Sequence, residues 1–224
     1  MRSVCRSLDG DHLTVRNLER LLAPRSVALV GASPQAGSVG AIVARNLMHG
    51  GFAGPISLIN PHHKSIEGVV CYASLADLPE APDLVVVATP PPTVSGIIAQ
   101  AGERGARAAV IITAGLDKQL RQAALDAARP YCLRIQGPNC IGLLVPGIGL
   151  NASFAHRAPK PGDLAFISQS GALVTAIIDW TAERGIGLSH VISLGDMADA
   201  DFGDFLDTLP ETGRAARSSS TWSR

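Results

Sequence analysis

Residues 26–40 read SVALVGASPQAGSVG. The first seven, SVALVGA (26–32), form the kind of short aliphatic run that builds a parallel strand covered on both faces. The run breaks at Gly31. Gly37 and Gly40 follow, and the apolar period of GAIVARNLM (40–48) then predicts a helix, closed by Gly50 and Gly51. Glycines between a strand and a helix let the backbone turn sharply and approach a phosphate closely. The free N–H groups at the start of such a helix, with its positive dipole end, suit an anion. Ser33 and Ser38 can add hydroxyl donors. The spacing is not G-x-G-x-x-G, so the turn alone predicts a nucleotide without naming it.

The same alternation extends outward in both directions. PISLIN (55–60), DLVVVAT (83–89), RAAVIITA (107–114) and LRIQ (133–136) predict further strands. Helices are expected over 93–104, ending at Gly105, and over 117–129, before Pro130. Alternation of this kind predicts βαβ units, a parallel Rossmann-type α/β sheet and right-handed crossovers. Segment 143–161, interrupted by Pro146, Pro159 and Pro161, reads as an irregular connection. The pattern restarts with LAFIS (164–168), a helix over 171–184 stopped by Gly185, a strand over 191–194 and a helix from 202. From Pro210 the sequence PETGRAARSSSTWSR has no apolar period and reads as solvated chain. The expected units are therefore 16–146, a shorter flavodoxin-like α/β unit over 147–209, and a tail over 210–224. Two strand–helix pairs are few for an open sheet. A fragment or frameshifted product is expected, with the apolar face of the helix over 171–180 partly uncovered.

Composition narrows the function. Lys plus Arg and Asp plus Glu each number 19, so neither a nucleic-acid stripe nor a polybasic membrane surface is supported. No apolar run approaches the roughly 20 residues that cross a bilayer. The N-terminus carries Arg2 and Arg6 without an apolar signal core, so a cytoplasmic protein is expected. Cys5, Cys71, Cys132 and Cys140 form no CxxC pair; reduced thiols and no metal site are expected.

The second strand bears on which nucleotide binds. A dinucleotide site places Asp or Glu at the end of that strand, on the ribose 2′-OH. Here the strand runs into Asn60, Pro61, His62, His63 and Lys64. Basic groups there fit a phosphorylated ribose, and the 3′-phosphate of coenzyme A and the 2′-phosphate of NADP both remain open.

The ordered series VGASPQAGSVG, NLMHGGFAGPISLINP, GVVCYASLADLPEAPDLVVVATPP, VIITAG, GPNCIGLLVP, LNASFA, PKPGDLAFISQSGALVTAIIDW and GIGLSHVISLGDMADAD resembles the NDP-forming acyl-CoA synthetases, relatives of the succinyl-CoA synthetase α subunit. The resemblance covers roughly residues 17 to 207. It looks closest to the branch that can carry a fused GNAT protein lysine acetyltransferase domain. It implies CoA, free or as acyl-CoA, at Gly31, Ser33, Pro34, Gln35, Ala36 and Val39 in the first turn. Asn60, Pro61, His63 and Lys64 would border its nucleotide. Pro90 would wall the pocket, Ile112, Thr113 and Ala114 would face the pantetheine arm, and Asn139 would close the thiol end beside Cys140. Cys140 itself reads as a small buried hydrophobe. Two departures from the family stand out: His62 and His63 precede the lysine, and Ala114 stands where relatives often have Glu.

Ser168, Gln169, Ser170 and Gly171 lie between a strand and a helix, where free amides and two hydroxyls make an anion site or an ordinary N-cap. The resemblance assigns Ser168, Ser170 and Gly171 to stabilising a phosphohistidine. None of His12, His49, His62, His63, His156 and His190 lies in the segment that carries the family's phosphohistidine, so no catalytic residue is assigned. The resemblance implies a carboxylic acid–CoA ligase reaction through acyl phosphate and phosphohistidine. ADP, ATP and Mg would come only with an ATP-grasp domain, borne on a separate β subunit or further domains, and an oligomer is expected. Alone, the chain is expected to bind CoA without turnover. Two alternatives are a stand-alone CoA- or nucleotide-binding regulatory module and an NAD(P)-dependent oxidoreductase, the latter disfavoured by the missing carboxylate.

Overall fold

The computed structural model describes residues 16–209. In chain order the elements are α1 (Glu19–Leu22), β1 (Val27–Val30), α2 (Val39–His49), β2 (Ile56–Ile59), β3 (Ser65–Ile66), β4 (Val69–Tyr72), β5 (Leu84–Val87), α3 (Val94–Arg104), β6 (Ala108–Ile111), α4 (Lys118–Ala128) and β7 (Arg134–Gln136). They are followed by β8 (Gly142–Val145), β9 (Leu150–Ser153), β10 (Pro161–Ser168), α5 (Gly171–Glu183), β11 (Leu188–Ser193) and α6 (Phe202–Thr208).

The first sheet has the order β3-β4-β2-β1-β5-β6-β7, with every pair parallel except β3–β4. Strands β1, β5 and β6 are buried along their whole length, as expected of aliphatic runs between helix layers. The helices end and begin where local chemistry requires. Asp117 caps α4 by accepting the N–H of Leu120, and α3 stops at Gly105, whose φ of 104° suits glycine. From β1 the chain steps to β2 on one side and later to β5 on the other. The strand order therefore reverses between β1 and β5, and a crevice opens at their carboxyl ends, where open α/β sheets take ligands.

The second sheet has the order β10-β11-β8-β9: β10 and β11 are parallel, and β8 is antiparallel to both of its neighbours. The stretch expected to be an irregular connection thus contains a hairpin. Pro146 and Gly149 form its turn, with Gly149 at φ 70°. A second hairpin, β3–β4, turns on Glu67 and Gly68, both at positive φ.

The two sheets share residues 134–140. The Gln136 side-chain amide donates to the Gly142 and Ser193 carbonyls at 3.0 and 2.8 Å. Asp196 and Ala198 donate backbone N–H groups to the Pro138 and Gly137 carbonyls, each at 2.9 Å. Arg134 pairs with Asp204 at 2.5 Å and with Asp199 at 3.4 Å.

Cys71 and Cys140 are free thiols. Cys5 and the tail over 210–224 lie outside the described residues. Among the described residues no helix is long and apolar enough to cross a membrane, and no group of His, Cys, Asp and Glu side chains is arranged to hold a metal. His190 is half-buried in β11, and burial pulls its imidazole below the usual 6.5.

Candidate functional site

The turn after β1 is built by exclusion of side chains. A Cβ on Gly31, at φ 96°, would lie 2.4 Å from the Ala88 carbonyl oxygen, just past β5. A Cβ on Gly40 would lie 1.9 Å from the Gly31 carbonyl oxygen. The turn is therefore clamped between the end of β5 and the first residues of α2, at the point where strand order reverses. Ser38 caps α2: its Oγ accepts the Ala41 N–H at 3.2 Å and donates to the Gln35 carbonyl at 2.8 Å. Ser33 Oγ accepts the Gln35 N–H at 3.1 Å. Both hydroxyls thus shape the turn, while Pro34, Gln35 and Ala36 are exposed at its crest.

Asn60 ties this turn to the basic stretch. Its side-chain NH2 donates to the Ala32 carbonyl at 2.7 Å, and its Oδ1 accepts the His62 N–H at 2.7 Å. Pro61, His63 and Lys64 are exposed beyond it. Both polar ends of Asn60 are committed within the protein, so its geometry is that of a positioning residue. Asn60→Ala should cost about 1 kcal/mol of stability, the usual net worth of such a bond. It should also weaken any ligand that touches both loops at once. Chemical denaturation run alongside ligand titration checks both effects.

A cavity of about 530 Å³ lies next to the turn. Val39 enters from α2, and Ala88 and Thr89 follow β5. Ile112, Thr113 and Ala114 follow β6, while Asn139, Cys140 and Ile141 come from the segment between the sheets. Phe154 follows β9, and Gly171 and Ala172 open α5. Asn139 sits at φ 58°; its N–H donates to the Thr113 carbonyl at 3.0 Å and its side chain to Asp196 Oδ1 at 3.1 Å. Thr113 Oγ1 donates to the Thr89 carbonyl at 2.8 Å. At the second-sheet side, Ser170 Oγ accepts the Leu173 N–H at 3.3 Å and Ser168 Oγ accepts the Ser170 N–H at 3.1 Å. Ser170 is thus the N-cap of α5, with Gly171 at the cavity wall.

The cavity brings together six residues singled out in the sequence: Val39, Ile112, Thr113, Ala114, Asn139 and Gly171. Gly31, Ser33, Pro34, Gln35, Ala36, Asn60, Pro61, His63, Lys64, Pro90, Ser168 and Ser170 are outside its lining. Sequence reasoning missed Ala88, Thr89, Ile141, Phe154 and Ala172. The first two are the last residues of the aliphatic run at 83–89, and a strand's carboxyl end is the signal that could have found them.

Cys140 lines the cavity as a buried thiol. Burial pushes its thiol up to about 12, and Sγ donates to the Ile111 carbonyl at 3.3 Å. The folded chain should therefore protect Cys140 from iodoacetamide at pH 8, and denaturant should release it. Because the folded thiol ionises later than an ordinary one at 9.0, its contribution to stability is complete below pH 9. That contribution is lost as the pH rises toward 12. Mass-spectrometric mapping of alkylation with and without denaturant checks the protection.

Two family models match: the CoA binding domain over residues 25–146 and the succinyl-CoA ligase like flavodoxin domain over residues 161–216. The chain is 37% identical over 198 residues to acetate–CoA ligase [ADP-forming] I of Archaeoglobus fulgidus, covering 86% of this chain and 29% of that protein. The chain belongs to the CoA binding domain family. The α subunit of acetate–CoA ligase [ADP-forming] I of Pyrococcus furiosus is 36% identical, over 85% of this chain and 44% of that one. The fold agrees with the apo form of the dinucleotide forming acetyl-coenzyme A synthetase 1 of Ca. Korarchaeum cryptofilum. The TM-score is 0.85 at 37% identity, over 88% of this chain and 44% of that chain. The chain thus spans less than half the length of these relatives.

Proposed function

We propose that the chain is the CoA-binding portion of an acid–CoA ligase and that it does not complete the reaction alone. The carrying observation is that Val39, the first residue of α2 after the glycine-clamped turn, and Gly171, the first residue of α5, line one cavity of about 530 Å³. CoA fits the residues present. The turn leaves no room for a Cβ at Gly31 or Gly40 and exposes Pro34, Gln35 and Ala36. The cavity falls within the usual size of cofactor pockets. When bound, CoA supplies the thiol that carries the acyl group as a thioester.

In this reading the first turn and the N-terminus of α2 hold the pyrophosphate, and His63 and Lys64 meet the ribose 3′-phosphate. Asn60 and Pro61 set the position of that basic stretch, and Pro90 borders the nucleotide. Ile112, Thr113 and Ala114 line the pantetheine arm. Gly171, held by the Ser168 and Ser170 turn, turns the dipole of α5 toward an anion beside the thiol end. The overall reaction is acyl-CoA, phosphate and ADP to carboxylic acid, CoA and ATP. A phosphoryl-carrying histidine and the nucleotide site would be supplied from elsewhere in the ligase. Among the described residues no histidine lines the cavity.

Calorimetric titration tests this. CoA should bind, dephospho-CoA should bind roughly 10-fold more weakly for want of one charge-assisted contact, and NADH should not compete. The chain alone should form no ATP from acetyl-CoA, phosphate and ADP. Tight binding of NADH with none of CoA would overturn the reading.

A further inference from the structure

The segment after β11 lies along the outer side of β7 and the residues that follow it. The backbone N–H groups of Asp196, Ala198 and Ala200 donate to the Pro138, Gly137 and Ile135 carbonyls at 2.9, 2.9 and 3.0 Å. A Cβ on Gly195, at φ 57°, would lie 2.2 Å from the Pro138 carbonyl oxygen and 2.5 Å from that of Asn139. The segment is therefore pressed against Asn139, a residue of the cavity lining. Asn139 takes the left-handed conformation that asparagine tolerates, at φ 58°. Its Nδ2 donates to Asp196 Oδ1 at 3.1 Å, and Asp196 Oδ2 lies 3.8 Å from Arg121 Nη1 on α4.

This contact decides which way the Asn139 carboxamide points. A carboxylate accepts and cannot donate, so the NH2 end must face Asp196. Asp196 is outside the lining, and the oxygen of a carboxamide diverges from its nitrogen. Oδ1 is thus the end left for the cavity, and no hydrogen bond among the described residues uses it. Two neighbouring side-chain donors are already spent: Thr113 Oγ1 on the Thr89 carbonyl and Cys140 Sγ on the Ile111 carbonyl. We propose that Asp196 is a positioning residue that presents Asn139 Oδ1 to the cavity, and that this oxygen accepts the pantetheine amide N–H nearest the thiol of CoA. This rests on the proposed CoA site and adds to it a residue of the second unit. Arg121 offsets the charge of Asp196 beside a site for an anionic ligand.

The test is calorimetric titration of the full chain with CoA and with adenosine 3′,5′-bisphosphate, which keeps the ribose 3′-phosphate and lacks the pantetheine arm. Asp196→Asn keeps the shape of the side chain. Its oxygen should turn to Arg121 and its NH2 to Asn139, which must then turn its own oxygen away from the cavity. CoA should bind about 10-fold more weakly, for the loss of one hydrogen bond and the mismatch left behind. Adenosine 3′,5′-bisphosphate should bind as it does to the wild type. The swap Asn139→Asp, Asp196→Asn restores a donor–acceptor pair with an oxygen still turned to the cavity, so it should bind CoA more tightly than either single variant. A thermal melt accompanies each variant. In the wild type, the Asn139 side-chain NH2 protons should remain slow to exchange with water when CoA is added, because Asp196 still holds them. Their release on binding would overturn the positioning role with no variant needed. Wild-type CoA affinity in Asp196→Asn would also overturn it, as would equal losses for CoA and the bisphosphate. Failure of the wild type to bind CoA at all would overturn the proposed function, and this role with it.

Discussion

Arg134→Ala should lower the thermal midpoint by on the order of 10 °C. Arg134 lies on the last strand of the first sheet, its side chain is 11% exposed, and it reaches Asp204 on α6 at 2.5 Å and Asp199 at 3.4 Å. Asp204 is 8% exposed and also accepts the Asp201 N–H at 3.0 Å. Removing the arginine leaves a buried carboxylate without its cation, which costs about 3–5 kcal/mol. In a chain of this size each kcal/mol moves the midpoint by roughly 2–4 °C. The loss should be specific to the missing partner. The double variant Arg134→Met, Asp204→Leu should recover part of it, because it leaves no carboxylate at 204 without its cation, while the Asp201 N–H loses its acceptor. Differential scanning calorimetry of the two variants decides between a paired-charge role and simple loss of packing.

Gly40→Ala should destabilise the chain and cut CoA affinity by about 10-fold or more, against the helix propensity that favours alanine by about 1 kcal/mol. The added Cβ would meet a backbone oxygen, Gly31 O, at 1.9 Å, and a carbonyl cannot swing aside as a side chain can. Either α2 retreats or the turn opens, and both move the amides that would hold a pyrophosphate. Gly96→Ala is the matched control. Gly96 lies in α3 with nothing within 4 Å of the added carbon, so propensity acts alone and the variant should be stabilised by about 0.5–1 kcal/mol. Opposite signs at two helical glycines would separate the close approach from any general effect of losing glycine.

Much of the first sheet was legible because its strands are aliphatic throughout and its helices are capped by residues with local reasons to be there. VALV, LVVV and AAVI need no partner to declare a two-sided burial, and Gly105 and Asp117 mark helix ends by their own chemistry. The hairpins were not legible. In β3–β4 the turn is Glu67-Gly68, whose first residue takes positive φ without being Asn, Asp or Gly. In β8–β9 the Pro146 and Gly149 that read as a linker are the hairpin turn itself.

The candidate site divides in the same way. Residues on loops that leave parallel strands, such as Ile112 and Thr113, follow from topology. Ile141 and Phe154 reach the cavity only because β8 pairs antiparallel with β11, a contact across about 50 residues that no local pattern encodes. Asn60, expected to border a ligand, also braces two loops through its hydrogen bonds to Ala32 and His62, which only geometry makes visible.

An amide NMR titration of the isotope-labelled chain with CoA addresses the central claim most directly. The account predicts the largest shifts at the backbone N–H groups of Ser33, Gln35, Ser38 and Val39, with smaller ones at Thr113 and Gly171. Shifts confined to other surfaces, with the turn after β1 unmoved at saturating CoA, would contradict it.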